Sequence, residues 1–112
     1  MNVLNLGGEG EVPDAVNQQG PWVFTSRWRS SLEGKTFDEL LRDGHQFLIC
    51  PNTAIERSDN SVDVVYTNGV PVDRTSTYGP GVQSSEIRRI LKPGGVWYHD
   101  GELEWTKPQL TS

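Results

Sequence analysis

"SVDVVYTNG" (61–69) and "SSEIRRILKPGGVWYHD" (84–100) decide how this chain folds. The first is an apolar, β-branched run opened by the turn-forming "SDNS" (58–61), and it predicts a buried strand. In the second, Ser84 or Ser85 supplies a cap, Ile87, Ile90 and Leu91 share one face, and Pro93-Gly94-Gly95 is a stop signal. The spacing predicts a helix over 84–95, followed by a strand over "VWYHD" (96–100). Strand, helix, strand at this spacing implies a right-handed parallel crossover.

The same alternation continues toward the N-terminus. "QFLIC" (46–50) predicts a strand stopped by Pro51. "TFDELLRDG" (36–44) predicts a short helix, with Thr36 and Glu39 at capping-box spacing and Gly44 where helices end. "WVFTS" (22–26) and Val3 to Leu6 predict two more strands, and residues 12–19 a poor helix weakened by Pro13 and Gly20. The tail "GELEWTKPQLTS" (101–112) has room for at most one further short strand. The expected fold is therefore one α/β domain over 1–112, a mostly parallel sheet of about five strands with few helices. Ligands of such sheets bind at the carboxyl ends of the strands. Those ends hold Asn5 to Gly8, Thr25 to Arg27, Asn52, Thr67 and Asn68, and His99 and Asp100.

Composition narrows the function classes. The chain has 112 residues, 34% of them hydrophobic and 22% charged, which marks a small globular domain rather than a disordered segment. A net charge of −5 argues against nonspecific nucleic-acid binding by the whole surface. Cys50 is the sole cysteine, so there is no internal disulfide and no cysteine metal-site spacing. No apolar run approaches the roughly 20 residues of a membrane helix. The chain starts almost directly on a strand, as a domain cut from a larger protein would.

"SDNSVDVVYTNGV" (58–70) followed by "EIRRILKPGGVWY" (86–98), with "VLNLGGEGE" (3–11) ahead of them, resembles the class I S-adenosylmethionine-dependent methyltransferases. The resemblance covers residues 2–99 and implies a small Rossmann-like fold with its glycine loop at Asn5, Gly7, Gly8 and Gly10. The family's pattern is broken there. Asn5 stands at an acidic position, and Glu9 and Glu11 stand at two glycine positions. Glycine is needed where backbone approaches a ligand without a side chain. Two carboxylates near the cofactor's own carboxylate repel it by several kcal/mol at about 4 Å and protein-like dielectric. The acids that would follow the second and third strands are replaced by Thr25-Ser26-Arg27 and Pro51-Asn52. The expectation is a miniature scaffold without S-adenosylmethionine; the alternative is a methyltransferase that tolerates a degenerate loop.

"NLGGEGEVPDAVNQQG" (5–20) also resembles the start of C-terminal toxin domains of contact-dependent inhibition and Rhs polymorphic toxins. That resemblance implies a module of a longer secreted protein, delivered into a neighbouring cell, held by a cognate immunity protein and cleaving RNA, often tRNA.

Candidate chemistry follows from the strand ends. His99, beside Asp100, is of the residue type best suited to general acid or base work in RNA cleavage; alternatively it is a surface histidine. Arg27, Trp28 and Arg29, extended by Lys35, interleave positive charge with an aromatic ring, as a phosphate backbone and a stacked base require. Alternatively they are solvated arginines around a core tryptophan. Arg74 and Tyr78 lie in the long loop "PVDRTSTYGPG" (71–81), with Asp73 and Thr77, where a guanidinium could steady a phosphate and a phenol stack or donate a proton. Thr67 and Asn68 either orient a phosphate or cap the fourth strand. His45 reads as a loop residue beside a helix end, Glu9 and Glu11 as solvated or partner-facing carboxylates, and Arg88 and Arg89 as a solvated helix face. Trp105 reads as core or an interface anchor.

Overall fold

The computed structural model describes residues 1–109. Its elements run β1 (Val3–Leu6), β2 (Val16–Gln19), a 3-10 turn (Pro21–Phe24), α1 (Phe37–Arg42), β3 (Phe47–Ile49) and β4 (Val62–Thr67). There follow β5 (Thr75–Ser76), β6 (Gly79–Pro80), α2 (Ser84–Ile90), β7 (Leu91–His99) and β8 (Glu102–Thr106). Six strands form one sheet in the order β3-β2-β1-β4-β7-β8, while β5 and β6 pair as a separate small hairpin. Neighbours from β3 to β7 are parallel, and β8 closes one edge antiparallel to β7. The molecule is thus α/β with a mostly parallel sheet, one strand larger than expected because the tail supplies β8.

Register sets the two faces. Leu4 lies beside Val16 and Val65, Leu6 beside Gln18 and Thr67, and Val65 beside Trp97. These side chains point to one side, where Ile87 and Ile90 of α2 join Leu4, Leu6, Val65, Leu91 and Trp97 in the main core. On the other side Phe47 and Ile49 pack against a second cluster of Val23, Trp28 and Leu40. That cluster seats α1, whose Thr36–Glu39 capping box forms as expected.

Several expectations are corrected. The second strand is Val16–Gln19, not 22–26, and residues 12–19 form no helix. Pro21 stands at the first position of a 3-10 turn, where its fixed φ and missing N–H cost nothing, and this turn takes up the "WVF" run. Thr25 to Arg27 consequently follow that turn rather than a strand. The second helix stops at Ile90, and Leu91 is already extended and paired with Val62. Pro93 disfavours helical backbone at Lys92, and the register shift between Val62 and Val64 absorbs the Pro-Gly-Gly segment inside β7. Arg89 is no solvated residue: it bonds Glu86, Asp59 and the carbonyls of Ile55 and Arg57. Arg88 lies over the Trp105 ring at 5.7 Å, and Trp105 is packed against the main core.

Candidate functional site

The strand order reverses between β1 and β4, and a cavity of about 500 Å³ opens at that edge. It is lined by Gly7, Glu9 and Glu11 from the loop after β1, by Gln19 at the end of β2, and by Asn52 beyond β3. Asn68 to Pro71 beyond β4 complete the floor, while Trp22, Trp28, Arg29, Leu32 and Tyr78 form the walls. This is the position at which open parallel sheets take ligands.

The loop after β1 is built from amides. Three consecutive buried side chains of β2 hold it. Asn17 Oδ1 accepts the Gly10 N–H at 3.0 Å, Gln18 Oε1 accepts the Gly7 N–H at 3.1 Å, and Gln19 Nε2 donates to the Gly8 carbonyl at 2.9 Å. Burying polar side chains is costly unless each is bonded, and here the loop backbone satisfies them. Gly10 has φ +95°, and a Cβ there would lie 2.5 Å from the His45 ring. A Cβ on Gly8 would strike Asn17 and Asn5. The loop is glycine-rich because the protein's own atoms crowd it.

Both glutamates are hydrogen-bonded within the chain, Glu9 half-buried and Glu11 exposed to solvent. Both carboxylate oxygens of Glu11 accept from Asn5 Nδ2, at 2.8 and 2.6 Å, and Oε1 also accepts the Glu9 N–H at 3.1 Å. Glu9 accepts the N–H groups of Ser31 and Leu32 at 2.9 and 3.1 Å, and the Ser31 hydroxyl. Asn5 is fully buried, and its Oδ1 is the sole buried side-chain polar atom without a partner among the described residues.

The remaining candidates separate into groups. Tyr78 reaches the cavity and stacks on Trp22, with ring centroids 5.5 Å apart and planes 26° from parallel. Trp28 is buried in the second core cluster and lines the cavity from there; Arg29 lines it too, its guanidinium bonded to the carbonyls of Ser26 and Trp28. Arg27 is exposed and outside the lining. Lys35 is paired with Asp43 and Glu33, and its hydrogen bonds to them, Asp43's first, raise its pKa above the usual lysine value. Arg74 lines a shallower depression with Ser84 and Ser85, away from Tyr78. Its neighbour Asp73 bonds the Ser84 N–H and hydroxyl at 2.8 and 2.6 Å, which lowers the Asp73 pKa and fixes the start of α2.

Thr67, His99 and Asp100 form a cluster of their own at the ends of β4 and β7. The buried Thr67 hydroxyl receives the Trp97 indole N–H at 2.9 Å and meets His99 Nδ1 at 2.7 Å. The Thr67 hydroxyl proton has two acceptors in reach, His99 Nδ1 and the Tyr98 carbonyl at 3.5 Å, so the same contact serves either tautomer of the ring. Nε2 faces Asp100 at 3.3 Å, and the other Asp100 oxygen accepts the N–H of Gly69, a cavity residue. The cluster therefore braces the cavity floor without lining it.

Trp22, Gln19 and Leu32 escaped the sequence reading. The signal for Trp22 was Gly20-Pro21, which opens a helical turn, whereas "WVFTS" (22–26) reads as a strand by its apolar run. No family model matches this sequence, and comparison with curated proteins and with solved structures gives no match.

Proposed function

We propose that this domain binds a nucleoside-type cofactor in the cavity at the β1–β4 reversal, with S-adenosylmethionine the ligand implied by the methyltransferase resemblance, and that it serves a small methyltransferase. The observation carrying this reading is the composition of one cavity. Three aromatic rings stand beside two carboxylates and a single guanidinium, in a volume suited to a nucleoside. The strand order supports treating the sheet as Rossmann-like.

The donor set fits the group. Trp22 and Tyr78 offer aromatic surface to a purine, with Trp28 lining the cavity from the core, and Glu9 and Glu11 offer acceptors to hydroxyl or cationic groups. The sulfonium and ammonium of S-adenosylmethionine are cations, so a cavity with two carboxylates favours them more than it favours a phosphate chain. Both glutamates are already steadied by donors, which tempers the repulsion expected for the cofactor's carboxylate. When bound, this cofactor supplies an electrophilic methyl group. The chain's own part is to hold the ring and, through the Gln18 and Gln19 amides, to keep the loop in place.

Titration with S-adenosylmethionine and S-adenosylhomocysteine, followed by calorimetry and tryptophan fluorescence, tests the reading. Saturable one-to-one binding of either is expected; the absence of heat and of any fluorescence change with both would reject it.

A second reading has one contact in its favour. The 2.7 Å Thr67–His99 pair gives an oriented imidazole at the sheet's carboxyl edge, as cofactor-free cleavage of RNA, with tRNA the substrate to test, requires. On that reading the chain is an antibacterial toxin module of a secreted carrier, restrained by an immunity protein. Cleavage of tRNA by the wild type and not by His99→Ala, without added cofactor, is its expected result.

A further inference from the structure

We infer that Trp22 and Tyr78 are the two jaws of a clamp that closes on the planar ring of a purine nucleoside. This deepens the cavity reading above and rests on it.

The jaws differ in mobility. Trp22 is fixed. Its indole N–H donates to Gln19 Oε1 at 3.0 Å, and its six-membered ring lies over Gly20, where a Cβ would come within 2.2 Å of it. Gln19 is itself held by the Gly8 carbonyl, so the Trp22 ring is keyed to the loop after β1. Tyr78 is the free jaw. It sits at the tip of a hairpin whose strands are two residues each, and 59% of its surface is exposed. The base of that hairpin is bolted by Gly81 N–H to the Arg74 carbonyl at 2.7 Å, Asp73 N–H to the Val82 carbonyl at 2.8 Å, and Asn52 Nδ2 to the Pro80 carbonyl at 3.0 Å. At the tip the Ser76–Gly79 pair of the hairpin is joined by two longer contacts through Ser76 Oγ, both at 3.2 Å.

An exposed tyrosine at a weakly held tip gains little by stacking on a tryptophan in water. The gain becomes large when a third ring enters, since each face of that ring is then covered. Three stacked rings need about 9 Å between the outer two centroids, taking the close end of the spacing at which aromatic rings prefer to stack. The present centroids are 5.5 Å apart, so the tip must yield by about 3.5 Å. Asn52, which ties the hairpin base and also bonds Gln18, keeps the jaw aligned with the loop.

The test uses the full chain, with adenosine and S-adenosylhomocysteine as probes, and compares wild type with Tyr78→Ala and Tyr78→Phe in calorimetric titrations. Losing one stacking face weakens binding of both probes about ten- to hundredfold in Tyr78→Ala. Tyr78→Phe keeps the face and stays within about threefold of wild type. Equal affinity of wild type and Tyr78→Ala would overturn the clamp while leaving the cavity reading intact. Failure of wild type to bind either probe overturns both. Thermal melts of the two variants, expected within a degree or two of wild type for so exposed a residue, separate loss of the jaw from loss of the fold.

Discussion

At Thr67 one hydroxyl does the work of two partners. It is fully buried, it is the acceptor for the equally hidden Trp97 indole N–H, and it orients His99. Thr67→Val keeps the shape and removes the oxygen, leaving a buried donor unpaired, which costs about 1–3 kcal/mol. Urea unfolding measures it, and a loss below about 0.5 kcal/mol would mean that water replaces the hydroxyl. Gly10 makes a sharper residue-level case. Gly10→Ala must hold a side chain at φ +95° and push aside the His45 ring. Strain in the left-handed region and overpacking each cost about 1–3 kcal/mol, so the variant should unfold at clearly lower urea concentration than wild type. An unchanged midpoint would show that the loop re-forms without this contact.

Among the elements, β2 was the hardest to read and matters most to the site. Its sequence, "VNQQ", lacks the β-branched run that announces a central strand. Its amides are buried because the loop's backbone and the Cys50 and Gln46 carbonyls bond them, and that pairing is tertiary, invisible to local pattern. By contrast β3, β4 and α1 were legible, since apolar alternation and the Thr36–Glu39 box are local signals. The end of α2 was half legible: Pro-Gly-Gly announced a stop, but Leu91's pairing with Val62 pulled the boundary back to Ile90. Of the site, Tyr78, Trp28 and Arg29 were picked out, whereas Arg74 and Lys35 were not brought into it. Lys35's pairing with Asp43, and the depression that Arg74 shares with Ser84, are fixed only by the fold. The element-scale prediction follows from Gln18, whose side chain joins the Gly7 N–H, the Cys50 carbonyl and Asn52. Gln18→Leu leaves these groups unpaired and should cost about 2–4 kcal/mol by urea unfolding, as the sum of such penalties. Gln18→Glu keeps an acceptor for the Gly7 N–H but sets a buried carboxylate against the Cys50 carbonyl and Asn52 Oδ1, so it should be no more stable than Gln18→Leu; wild-type stability in this variant would show that the donor side of the amide contributes nothing.

Over the whole molecule the charges decide how stability depends on pH. The carboxyls of Glu39, Asp43, Asp63, Asp73 and Glu86 all have pKa values below their usual range. The causes differ. Arg89 leads at Glu86 and Lys35 at Asp43, whereas backbone or hydroxyl donors lead at the other three: the N–H of Thr36 for Glu39, the N–H of Asn2 for Asp63, and the hydroxyl of Ser84 for Asp73. A carboxyl whose folded pKa lies below its unfolded one adds stability that is complete above the unfolded value, near 4. That stability disappears as pH falls through the folded value. Stability should therefore be level from pH 7 to about 5 and fall steeply below about 4. Glu86 ties α2 to the 55–59 segment through Arg89 and the Ile55 N–H, so it is the carboxyl whose loss is best placed to be seen. Glu86→Gln should lower the neutral-pH stability by about 1 kcal/mol, a charge-assisted bond discounted for its partly exposed partner. It should also flatten the acid limb, since one of the protonating groups is gone. Urea midpoints between pH 3 and 7 for both proteins measure the two effects together. Parallel acid limbs would place the pH sensitivity in the remaining carboxyls and remove Glu86 from the account.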